Sequence, residues 1–166
     1  YNCKNLLFYW LKVWQTYHEE GRFGTDIALN IPHYTKRLEQ FNAWPTHCHG
    51  DLSVINYLFA EDRCQLIDFQ NLGYGPALID LTDGMVEFSA AKDAILEGNL
   101  RSFQEGYQSI RPLSDIEKNH LTDLLIIQTA VRQAKLLRLH FGGFGYDLKK
   151  ERLLGLRLAL ATLLGQ

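Results

Sequence analysis

Long apolar runs are missing from this 166-residue chain, and no stretch approaches the ~18 consecutive apolar residues that a membrane-spanning helix needs. No basic segment with a following hydrophobic stretch opens it, so no secretory leader is visible. Cysteine is scarce. Cys3, Cys48 and Cys64 make an odd count with no framework spacing, which excludes a disulfide scaffold and fits a reducing, cytoplasmic setting. A positive charge excess is missing too, and a formal net charge of -2 argues against a dedicated nucleic-acid binder. Repeats and low-complexity tracts are absent. At 46% hydrophobic and 22% charged residues the composition is that of a globular chain able to bury a core, read here as one domain over residues 1–166. The chain begins at Tyr1 and not at a methionine, and the expectation is a piece of something longer.

What is present is mostly helical periodicity. Leu7, Trp10, Leu11, Trp14 and Tyr17 recur at helical spacing, with Gly21 and Gly24 as breakers. A short helix is expected over Tyr34 to Phe41, ending before Pro45. Val54 to Phe59 and Cys64 to Phe69 are apolar runs across a polar turn, the pattern of a β-hairpin. Helices are then expected over Ala77 to Ala90 and Lys92 to Tyr107. Ser114 and Glu117 form a capping box ahead of a long helix reaching Leu139, and Asp147 is a cap for the last one. The cluster Phe141-Gly142-Gly143-Phe144-Gly145 lacks phosphate-loop spacing and reads as a helix terminator. The fold class is mainly α with a small β-hairpin.

Polar chemistry concentrates around that hairpin. The stretch HCHGDLSVIN, His47 to Asn56, crowds two histidines, a cysteine, an aspartate and an asparagine together. Zinc ligands come in separated pairs, whereas His47, Cys48 and His49 are consecutive. No G-x-S-x-G elbow is present for a serine nucleophile, and Cys48 is small enough to be packing. Carboxylate chemistry fits better. Asp51 has Asn56 five residues on, and a hairpin would return Asp68 close to Asn56. Phosphoryl transfer uses such a set: one carboxylate orients the acceptor hydroxyl, while an amide oxygen and a second carboxylate hold Mg²⁺ on the phosphates.

HGDLSVIN resembles the H-x-D-x₄-N catalytic loop of the aminoglycoside phosphotransferase and choline kinase superfamily, relatives of protein kinases. LIDFQNLGYGPALIDL resembles the metal-binding segment of the same enzymes, and its Asp-Phe-Gln looks like that of the ecdysteroid-kinase-like branch. The resemblance implies a small-molecule kinase moving the γ-phosphate of ATP to a substrate hydroxyl, with a catalytic loop at residues 47–56 and a metal-binding segment at 64–81. It implies Asp51 as the base or hydroxyl-orienting carboxylate and Asn56 and Asp68 as magnesium ligands. His49 and Asp80 would brace the loop, and Gly75-Pro76 would shape the turn into the next helix. Ser53 and Ile55 depart from the pattern, standing where many relatives have a histidine and a small residue.

Nothing before His49 resembles the smaller nucleotide lobe of these enzymes, so the resemblance covers the helical C-terminal lobe of the protein-kinase-like (α+β) fold only. The implied partners are a small hydroxyl substrate and either an N-terminal lobe or another protein covering its docking surface. A rival reading is a non-catalytic kinase-like remnant that binds a ligand or partner without turnover. Asp80, Asp83 and Glu87 fall on one helix face, either a solvated acidic face or one attracting a cationic substrate. Arg132, Lys135, Arg138, Lys149, Lys150, Arg152 and Arg157 make the C-terminal third basic. They read as solvated helix faces, with an anion or nucleic-acid site as the other reading.

Overall fold

The computed structural model describes residues 2–23, 29–90, 96–141 and 146–165. Helix α1 (Cys3–Glu19) opens on Asn2, whose side chain accepts the Lys4 amide at 2.9 Å and so satisfies one of the unpaired N–H groups of a helix start. Its Leu7, Leu11 and Trp14 stripe is buried, as the periodicity requires. Helix α2 (Ile31–Gln40) starts three residues earlier than expected because Asn30 caps it by accepting the His33 amide, with Pro32 in the first turn.

Helix α5 (Asp115–Phe141) is the spine, packing on α1, α2, α3 (Leu78–Ser89) and α6 (Tyr146–Leu164). The capping box forms: Ser114 N–H donates to Glu117 at 2.9 Å, and Glu117 N–H donates back to the Ser114 hydroxyl at 3.3 Å. Leu124, Ile127, Ala130, Val131, Ala134 and Leu137 are all buried, so α5 is covered on several sides and not along one stripe. Trp14 of α1 donates to Gln133, which donates to the Leu156 carbonyl of α6, tying three helices with paired buried polar groups. Helix α4 (Glu97–Gln108) lies on α3 where Gly84 leaves room for the Phe103 ring; an added Cβ would come within 2.4 Å of it. Helix α6 begins one residue before Asp147, which therefore sits in its first turn and is not the cap. The expected break at Gly24, the start at Lys92 and the turn Gly142–Gly145 fall outside the described residues. No described helix is long and apolar enough to cross a membrane.

The chain leaves this helical body at β1 (Pro45–Cys48) and returns at β4 (Gly73–Pro76), paired antiparallel from Pro45↔Pro76 to Cys48↔Gly73. This second small sheet was not expected, because Pro45, Gly73, Gly75 and Pro76 are poor strand formers and only a long-range pairing recruits them. The expected hairpin is present but shorter, as β2 (Tyr57–Ala60) and β3 (Arg63–Leu66). Val54 to Asn56 instead form a 3₁₀ turn, with Asn56 N–H on the Ser53 carbonyl, and Phe69 to Asn71 form another. Strand propensity there yields to the loop's own hydrogen bonds. Residues 49–72 are thus one excursion with both ends pinned, and the proposed catalytic and metal residues Asp51, Asn56 and Asp68 all lie within it.

Candidate active site

Three carboxylates on α3 hold the loop backbone. Asp80 accepts the His49 amide at 2.5 Å and the Gly50 amide at 3.0 Å; Asp83 accepts the Leu52 amide at 2.7 Å; Glu87 accepts the Val54 amide at 2.9 Å. The spacing i, i+3, i+7 sets them along one helix face, and the loop runs parallel to it. Hydrogen bonds to charged acceptors contribute about 1.5–3 kcal/mol each, so the loop is fixed by its backbone and not by its side chains. Gly50 is required there, because its φ is +78° and an added Cβ would come within 2.7 Å of the Asn71 carbonyl oxygen.

Burying these carboxylates demands countercharge. Arg132 of α5 supplies it, lying 2.8 Å from Asp83 and 2.5 Å from Glu87, and Arg152 of α6 adds a second contact to Glu87 at 2.8 Å. Burial works against the Asp83 charge, but Arg132 first and then Lys135 and the Leu52 amide outweigh it and hold this carboxyl below its usual range. Among the described residues no arginine or lysine forms an ion pair with Asp80, and burial pushes its carboxyl up against the two amides that favour its charge. Asp83 and Glu87 therefore do not form the open acidic face expected of them. They are buried, neutralised by this chain's own arginines, and turned onto the loop. Arg132 likewise is not solvated but wholly inside.

His49 is 4% exposed and bridges the excursion: its Nε2 lies 2.9 Å from the Ile67 carbonyl and its ring 4.7 Å from that of Phe69. Asn56, also 4% exposed, donates its Nδ2 to the Asp51 carbonyl at 2.9 Å, which turns its Oδ1 the opposite way. The Asn56 carbonyl accepts the Ile67 amide at 3.0 Å, so the backbone of Asp68 adjoins that of Asn56 as the hairpin geometry required. Asp68 is exposed and left-handed at φ 62°, ψ 64°, a conformation that costs a non-glycine residue about 1–2 kcal/mol and is held here by the flanking 3₁₀ turn. A carboxylate and an amide oxygen are hard donors suited to Mg²⁺, which keeps several waters and needs few protein ligands. No group of three or more His, Cys, Asp or Glu side chains among the described residues is placed to hold a metal.

Sequence reasoning missed one neighbour. Lys135 of α5, 84 residues away in sequence, places Nζ 3.2 Å from Asp51 Oδ1. One turn further on, Arg138 donates to the Tyr9 hydroxyl at 2.6 Å and lies over the Trp10 ring. The basic spacing 132, 135, 138 was visible; which way the face pointed was not.

A model of the phosphotransferase enzyme family matches residues 13–113, more than half of the chain and the whole of the excursion and of α3. The chain belongs to the phosphotransferase enzyme family. An uncharacterized protein of Synechocystis sp. (strain ATCC 27184 / PCC 6803 / Kazusa), sll1119, is 32% identical over 108 residues. That match covers 64% of this chain and 29% of the relative, so the chain spans under a third of the relative's length.

Proposed function

We propose that this chain is the catalytic and substrate lobe of a small-molecule kinase that moves the γ-phosphate of ATP to an acceptor hydroxyl. The observation that carries the reading is the loop at Asp51, whose amides are held by Asp80, Asp83 and Glu87 while its far end meets the Asp68 segment through His49 and Asn56. Asp51 accepts the proton of the acceptor hydroxyl as that oxygen bonds to the γ-phosphorus. The bond from the γ-phosphorus to the β,γ-bridging oxygen breaks, and ADP leaves. Asn56 Oδ1 and the Asp68 carboxylate would hold Mg²⁺, which when bound neutralises charge on the phosphates. Positioning accounts for up to about 7–11 kcal/mol of such a barrier, and a loop fixed before substrate arrives supplies it without reordering.

Support for a covering lobe is the surface around the hairpin. Trp44, Leu58, Phe69 and Leu72 are exposed, with Ile55 at 78% and Phe59 at 68%, a concentration of exposed apolar side chains between residues 44 and 72 of the kind that partners cover. In the full-length protein an N-terminal nucleotide lobe would close over it, and the isolated chain is expected to lack turnover. The Asp-Phe-Gln segment supports the ecdysteroid-kinase-like branch, and a cytoplasmic setting fits the use of ATP and the unpaired cysteines.

Metal and nucleotide binding test the reading directly. Mn²⁺ titrated into the full-length protein with ATP should bind with an affinity lowered by about 10-fold or more in Asp68→Asn, the scale of losing one charged contact. Equal metal affinity in the variant would remove Asp68 from the site and favour the non-catalytic remnant.

A further inference from the structure

Beside Asp51 opens a cleft of about 360 Å³, lined by Tyr9 and Trp10 of α1, by Asn71, and by Lys135 and Arg138 of α5. Asp51 is on its wall, and Asn56 and Asp68 are not. A cleft that Asp51 lines and the proposed metal ligands do not is the space open to an acceptor hydroxyl, which Asp51 orients in the transfer. Resting on the kinase reading above, we infer that the acceptor is a small hydroxyl compound carrying an anionic group, a carboxylate or a phosphate, and not an amine.

Charge in the cleft decides it. Two cations face one carboxylate, and that carboxylate already meets Lys135 at 3.2 Å. Among the described residues no carboxylate forms an ion pair with Arg138, which is exposed at the cleft and keeps donors beyond the one given to Tyr9. An ammonium group entering here would meet Lys135 and Arg138 with no free partner. The acidic residues that could have received it, Asp83 and Glu87, are buried under Arg132 and Arg152. On the aromatic wall the guanidinium of Arg138 already lies 5.6 Å over the Trp10 ring, where an incoming cation would compete with it. An anion fits each of these facts, since a guanidinium backed by an aromatic ring presents a rigid fork to a carboxylate or phosphate.

Lys135 and Arg138 are i, i+3 neighbours on α5, so both cations reach the cleft from the same helix. Both cations lie beyond residues 13–113, the segment the family model matches, so this feature belongs to the chain's own C-terminal helices.

The test uses the full-length protein with matched acceptors: a sugar acid, a sugar phosphate, the neutral sugar and the amino sugar. Binding without ATP is measured by calorimetry, and ATP consumption separately. An acid or a phosphate should exceed the neutral sugar in affinity and in kcat/KM by about 10- to 100-fold, the scale of one charge-assisted contact, and the amino sugar should rank last. Whichever anionic arm responds identifies the group. Arg138→Gln should collapse the acid-to-neutral ratio by about 10-fold, while Arg138→Lys, which keeps the charge and loses the fork, should fall between the two. Preference for the amino sugar, or equal ratios in wild type and Arg138→Gln, would overturn the inference. Anion binding that depends on Arg138 without any ATP consumption would sustain the cleft and sink the kinase reading instead.

Discussion

The two halves of the excursion differ in what completes them. The loop from His49 to Asn56 is finished by this chain: four of its amides are accepted by α3 carboxylates, those carboxylates are neutralised from α5 and α6, and His49 and Asn56 are buried. The segment from Tyr57 to Leu72 carries the other proposed metal ligand yet presents Leu58, Phe59, Ile67 and Phe69 to water. On the proposed reading, the side that positions the acceptor is preorganised, whereas the side that meets nucleotide is built to be covered. Specificity for the acceptor would then reside in this chain, and control of nucleotide binding in whatever packs on the hairpin.

The comparison breaks most readily at Arg132. Arg132→Met removes the main countercharge of two buried carboxylates, and one-sided removal of a buried pair costs about 3–5 kcal/mol. Thermal unfolding should show a loss of that order, with exchange of the Leu52 and Val54 amides accelerated before that of α1. A loss below about 1 kcal/mol would mean that water reaches the network and that the loop is not held as described.

Acid should loosen this region and the start of α5. The carboxyls of Asp83 and Glu117 lie below their ordinary values of 3.8 and 4.5, so each contributes stability present above the unfolded value and lost as pH falls through the folded one. Asp80 has the opposite sign: its carboxyl is raised by burial, so its contribution is present at low pH and lost as pH rises through the folded value. Two groups oppose one, and Tm should fall between about pH 5 and pH 3, less steeply in Arg132→Met, where the Asp83 share is gone. A Tm that rises on acidification would show Asp80 to dominate.

Sequence made the local features legible and the long-range ones not. The Ser114 cap, the α1 stripe and the HGDLSVIN and LIDFQ motifs are written within ten residues of chain, and the structure forms the elements they specify. The β1–β4 pairing was invisible because four of its eight residues are proline or glycine and their partners lie 25 to 31 positions away. The spacing of Asp80, Asp83 and Glu87 declared a helix face but not its direction. Only the burial of Arg132, 45 residues beyond Glu87, turns that face from a solvated surface into the frame of the loop.

The smallest effect belongs to the covered side. Ile55→Ser with Phe59→Ser should change the stability of this chain by no more than about 0.5 kcal/mol, since both side chains are largely exposed and Phe59 only stacks on Tyr57. Sedimentation should show reduced self-association of the isolated chain. A large destabilisation would mean that these side chains support the loop and that the two halves are not separable.

The most direct measurement is turnover by the full-length protein carrying Asp51→Asn, which keeps the size and hydrogen bonding of the side chain and removes its charge. The account predicts kcat lowered by at least about 100-fold, the scale of a positioned acid–base group, with Tm and the His49, Leu52 and Val54 amide protection unchanged because they depend on α3 and not on this carboxylate. Near-normal turnover in a folded Asp51→Asn protein would contradict it.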